Sequence, residues 1–128
     1  MKKWLIVACF LPLFACARFR IVAVPYVPNP NVSEPMKVIE RVIKHQPPYY
    51  NTVPHEVSVK SDCIELRKWD VTNTIYYRNI GNVVLNKTDI WYAEINDRLG
   101  HWMCYVYSFD ESEAKLFIDA IYTMMAKQ

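Results

Sequence analysis

Hydrophobic and polar positions alternate with three different rhythms along this chain, and each rhythm predicts an element. Met36, Ile39, Val42 and Ile43 recur at helical spacing, with Lys37, Glu40, Arg41 and Lys44 on the other face. Ser33 is placed as an N-cap ahead of Glu34 and Pro35, and Pro47-Pro48 ends the run, so a short amphipathic helix is expected over about 33–45. From Glu56 to Phe109 the period falls to two. Val57, Val59, Ile64, Leu66 and Trp69 mark a first arm bent at Ser61-Asp62; Thr74–Arg78 and Asn82–Leu85 follow, with a turn at Asn86-Lys87-Thr88. Asp89–Asn96 and His101–Phe109 are read as a hairpin joined by a loop ending in Gly100. The last strand has large apolar residues on both parities, Trp102 and Val106 on one, Met103, Tyr105, Tyr107 and Phe109 on the other, so both faces are expected to be covered. The helical rhythm returns at the end. Asp110 with Glu113 starts it, Ser108 with Glu111 being the overlapping alternative, and Ala114, Phe117, Ile118, Ile121, Met124 and Met125 form its apolar stripe.

This order predicts an α+β chain: a small antiparallel β-barrel or sandwich with a short N-terminal helix and a C-terminal amphipathic helix sealing it. Ile75-Tyr76-Tyr77-Arg78-Asn79-Ile80, Trp91–Ile95, the Asp97–Gly100 turn, Tyr105–Phe109 and Glu113–Ile121 resemble the body of bacterial pleckstrin-homology-like domains over about 56–126. The resemblance implies a fold and no active site, since such domains are scaffolds whose binding surfaces differ. The basic lipid-binding loop of eukaryotic members is not recognisable, so phosphoinositide binding is not implied.

The first seventeen residues follow none of these rhythms. Lys2 and Lys3 precede an apolar run from Trp4 to Ala15, whose 12 residues suit the central region of an export signal. A bilayer-spanning helix needs about 20, and Pro12 interrupts this one. Leu13-Phe14-Ala15-Cys16 resembles a bacterial lipobox, with Phe14 standing where a smaller residue is usual. Ala15-Cys16-Ala17 also fits ordinary cleavage before Arg18. The expectation is a lipoprotein signal over 1–15, lipidation at Cys16, a proline-stiffened tether over 16–32 carrying a short edge strand near Ile21–Val24, and one domain over 33–128. Ala17 in place of Asp after the lipidated cysteine resembles an outer-membrane sorting signal, with the domain facing the periplasm; the alternative is a secreted or periplasmic soluble protein.

Composition then narrows the partners. The chain has 15 basic and 13 acidic residues, and losing Lys2 and Lys3 with the signal leaves it neutral. That argues against nucleic acid. At 52% hydrophobic and 14% aromatic it can bury a core. Two glycines leave no phosphate-cradling loop. With Cys9 discarded and Cys16 lipidated, Cys63 and Cys104 remain, either as a disulfide or as two buried thiols. His45, His55 and His101 are isolated, and no metal, cofactor or nucleophile motif is present. The tyrosine pairs Tyr49, Tyr50, Tyr76 and Tyr77, with Tyr105 and Tyr107, are candidate recognition aromatics, the competing account being core and rim.

The functional expectation is a non-enzymatic envelope lipoprotein acting as a binding or scaffold module, held to the membrane by its lipid, taking no cofactor and meeting an envelope protein. An immunity or exclusion protein that captures an incoming toxin or phage component is the alternative. A small periplasmic hydrolase is a third reading, and it requires a polar cleft in which His55 or His101 meets a carboxylate.

Overall fold

The computed structural model describes residues 21–48 and 52–128. The chain is α+β, with two antiparallel sheets and two helices. Sheet A has the order β1-β5-β6-β7, from β1 (Val22–Ala23), β5 (Ile80–Lys87), β6 (Trp91–Asp97) and β7 (Trp102–Ser108). Sheet B is the meander β2-β3-β4, from β2 (Glu56–Val59), β3 (Cys63–Lys68) and β4 (Val71–Tyr76). A 3₁₀ turn over Tyr77–Asn79 carries the chain from one sheet to the other. Of the barrel and the sandwich expected, no closed barrel forms, and two separate antiparallel sheets packed with the helices are compatible with a small sandwich.

Alternation decides which face of sheet A is inside. Register pairs Val83 with Ile95 and Leu85 with Ala93, then Ile95 with Cys104 and Ala93 with Val106. All four side chains of the central rows, Val83, Leu85, Ala93 and Ile95, are buried. Helix α2 (Glu111–Ala126) lies on β5, β6 and β7 and buries Ala114, Phe117, Ile118, Ile121 and Met124, the stripe expected of it; Met125 is half-buried. Asp110 caps it, its Oδ1 accepting from the Ser112 N–H at 2.7 Å. Ser108 instead bonds back to the Asp110 backbone.

Helix α1 (Pro35–Lys44) packs on α2, β2 and β7. It begins at Pro35 without the expected Ser33 cap; Glu34 takes the cap position and makes no side-chain cap bond. Its buried stripe is Val38, Ile39, Val42 and Ile43, and Met36 falls on the exposed flank. Val38 and Val42 are one turn apart, so that stripe is as regular as the one the sequence suggested. Against β5, the strand continues through Asn86 and Lys87, and the turn expected there falls at Thr88–Ile90.

The proline-rich stretch expected to be a tether is docked where it is described. β1 pairs with β5, Val24 N–H donates to Leu85 O at 2.8 Å, and the segment then crosses α2. There Asp119 Oδ1 accepts from Tyr26 Oη at 2.7 Å and from the Asn29 N–H at 2.8 Å, and Thr123 Oγ1 accepts from the Val32 N–H at 3.1 Å. Residues 21–32 are thus a strap over α2. The signal segment and the lipidation position Cys16 lie outside the described residues.

Candidate functional site

The face of sheet A opposite the helices carries the densest group of aromatic side chains among the described residues. Alternation on β6 sends Tyr92 and Glu94 outward, and on β7 it sends Tyr105 and Tyr107 the same way, opposite them in register. Trp102 belongs to the other parity by sequence, and the simple alternation groups it with Val106. A bulge between Ile95 and Asn96 resets the register, so Trp102 pairs with Asn96 and joins the outer face. Its ring lies 5.2 Å from that of Tyr105; Tyr105 and Tyr107 each approach Tyr92 at 5.3 Å. The result is one connected aromatic row, from Trp102 at 58% exposure to the buried Tyr92.

A polar group borders the row. Glu94 accepts from Asn96 Nδ2 at 3.1 Å and from Asn86 Nδ2 at 3.3 Å, which fixes the carboxylate between two buried amides. Burial pushes the Tyr92 hydroxyl up, helped by Tyr105 and Glu94, so it stays a neutral donor at physiological pH. At the free edge of β7 the Tyr107 N–H is taken by Gln46 Oε1 at 3.0 Å, and a hollow of about 340 Å³ opens beside it, lined in part by Arg41, His45, Phe109 and Glu113. This chemistry is stacking and hydrogen bonding. Stacked rings beside a fixed carboxylate suit recognition.

The sequence-selected residues are dispersed. Tyr49 and Tyr50 lie outside the described residues. Tyr76 ends β4, 36% exposed, with the Arg78 guanidinium 5.0 Å above its ring. Tyr77 does not belong to a surface: it is 1% exposed, donates to Lys60 O at 3.2 Å, and burial raises its hydroxyl further. Cys63 in sheet B and Cys104 in sheet A are both free thiols, so the pairing weighed from the sequence is not formed. Burial raises both thiols, Cys104 to about 11, which keeps them protonated and unreactive.

His45 Nδ1 meets the Arg41 carbonyl at 2.6 Å, and His101 stands 3.5 Å from Asp97 on an exposed loop. His55 packs edge-on against Trp69, ring centroids 5.1 Å apart. Among the described residues no group of His, Cys, Asp and Glu is placed to hold a metal ion, and no helix is long and apolar enough to cross a membrane.

Trp69 was expected in the apolar arm of sheet B. It sits instead at the tip of the β3–β4 hairpin, 71% exposed, with a left-handed φ of 54°. Ile64 and Leu66 share a parity that Trp69 breaks, and that break was the available sign of a turn. The chain matches no protein-family model, no curated protein and no solved structure.

Proposed function

We propose that this chain is a binding module of the bacterial envelope, held at the membrane surface by a lipid on Cys16 and without catalytic activity of its own. Its two successive antiparallel meanders followed by a terminal helix support a pleckstrin-homology-like assignment. The observation that carries the binding reading is the Trp102–Tyr105–Tyr107 row on the helix-free face of sheet A, bordered by the Asn-held Glu94 carboxylate. Tryptophan and tyrosine dominate the energetics of protein recognition because they give large contact area at little cost in conformational entropy. The partner is a protein of the envelope that stacks apolar or aromatic side chains on this row.

If Cys16 carries the lipid, the first described residue is five positions beyond it, a reach of about 17 Å at full extension. With residues 21–32 strapped to α2, the domain sits close to the bilayer. Ala17 favours the outer membrane as its destination, with the domain facing the periplasm.

The test uses the native full-length protein. Capture from intact envelopes recovers a partner with the wild type, and Trp102→Ala combined with Tyr105→Ala reduces that recovery at least tenfold while the circular dichroism spectrum is unchanged. Equal recovery by both proteins refutes this face as the site. Intact mass of the mature chain decides the anchor: an acylated Cys16 supports it, and an unmodified start at Arg18 refutes it.

A further inference from the structure

Strand β4 is an edge of sheet B, and its ladder with β3 fixes which backbone groups face outward. The Tyr77 N–H donates to Asp62 O at 3.1 Å. Bonded pairs alternate along an antiparallel ladder, so Ile75, Asn73 and Val71 also turn their backbone groups to β3. Thr72, Thr74 and Tyr76 therefore present three N–H groups and the C=O groups of Thr72 and Thr74 to the open side, while the Tyr76 C=O accepts the first bond of the 3₁₀ turn.

The other edges are short or partly engaged. Helix α1 packs against β2, Gln46 takes the Tyr107 N–H of β7, and β1 is two residues long. β4 also lacks the usual protections of an edge. Its sequence, Val-Thr-Asn-Thr-Ile-Tyr, contains no charge and no proline, and its ladder with β3 has no bulge.

We propose that β4 pairs antiparallel with the β4 of a second copy of this chain, about a two-fold axis at Thr74, joining the two three-stranded sheets into one of six strands. One register centres the pairing on the outward residues: Thr74 faces the partner's Thr74, and Thr72 faces the partner's Tyr76. Threonine–threonine and aromatic–β-branched cross-strand pairs are favourable contacts.

Charge selects a second copy as the occupant. Asp70 and Arg78 lie four residues on either side of Thr74, and neither has an ion-pair partner among the described residues. The two-fold axis brings Asp70 toward the partner's Arg78, and does so twice. The stacking of Arg78 on Tyr76 holds that guanidinium beside the edge. Val71, 68% exposed, lies on the same strand and loses water when its edge is paired. This pairing is independent of the lipid and of the aromatic face of sheet A.

The experiment is oxidative cross-linking of full-length Thr74→Cys in intact cells, with wild type as the background for Cys63 and Cys104. Paired Thr74 Cα atoms would stand about 5.5 Å apart, within disulfide range, whereas two Thr72 Cα atoms would stand about 13 Å apart. A band of twice the monomer mass is expected for Thr74→Cys, at least tenfold stronger than for Thr72→Cys. Asp70→Arg should lower the dimer fraction in sedimentation velocity of the purified chain, and adding Arg78→Asp should restore it. A wild-type chain that stays monomeric at every concentration, or equal bands for the two cysteine variants, overturns the proposal. A Thr74→Cys adduct with a different protein overturns the second copy in favour of a foreign strand, and a charge swap that restores nothing overturns the register.

Discussion

Replacing Asp119 by alanine should loosen the strap without touching the core beneath it. Asp119 Oδ1 accepts two hydrogen bonds from a segment 90 to 93 positions away, from Tyr26 Oη and the Asn29 N–H. A bond to a charged acceptor contributes about 1.5–3 kcal/mol when sheltered. Both donors here reach water once released, so about 1 kcal/mol each is the reasonable share, or about 2 kcal/mol for the pair. For a domain near this size that lowers Tm by roughly 8 °C. Tyr26→Phe removes one of the two bonds and should cost about half as much, and the double variant should cost less than the sum of the singles because the Tyr26 bond can be lost only once.

The pH dependence provides a second reading of the same contact. Burial, then the bond to Asp119, raises the Tyr26 hydroxyl to about 12. Its unfolded counterpart titrates near 10. The stabilisation is therefore complete below pH 10 and is lost as the pH climbs toward 12; Tyr26→Phe should flatten that part of the profile. The assay is urea unfolding followed by circular dichroism between pH 7 and 11.5. A cost below about 0.3 kcal/mol for Asp119→Ala, with strict additivity to Tyr26→Phe, would show residues 21–32 to be a free tether and refute the strap.

Other outcomes follow from single positions. A methyl group at Gly81 would meet the Asp97 carbonyl oxygen and the Arg98 Cα, so Gly81→Ala should destabilise by about 1–3 kcal/mol in the same unfolding assay. At Trp69 the left-handed φ favours glycine, so Trp69→Gly should unfold about 1 kcal/mol later than Trp69→Ala, although both lose the ring contact with His55. Cys104, raised to about 11 by burial, should react with a maleimide at pH 7 far more slowly than a free small thiol, and reach normal speed only in denaturant.

Helix α2 was fully legible because every cue for it is local: a cap at Asp110, acidic residues in the first turn, and a stripe that recurs every three to four positions. The loop of the β6–β7 hairpin was legible for the same reason. Gly100 takes φ 83°, and Asp97 Oδ1 accepts from the Leu99 and His101 N–H groups, which also holds its carboxyl below the usual range. Trp69 was misplaced because the strand ends at Lys68 and Trp69 opens the hairpin turn, where its side chain meets water. Trp102 was misplaced by a bulge, and a bulge leaves no mark in residue type when neither position is glycine. The candidate site was therefore visible as tyrosines but not as a row.

The amino-acid sequence alone determined the α+β class, the order of the elements and the apolar stripe of α2, because spacing and capping act over a few residues. Tertiary structure decided the rest. It left the sheets as two layers instead of a barrel, because α1 and α2 supply the apolar surface that closure would have provided. It turned a proline-rich stretch into a strap, because Asp119 and Thr123 on α2 offer acceptors to its N–H and hydroxyl groups. It also separated Tyr76 from Tyr77, one at a rim and one in the core, since adjacent residues at the end of a strand point to opposite sides. Side-chain partners ninety residues apart, and the face each strand turns inward, depend on how layers meet, and no local pattern carries that information.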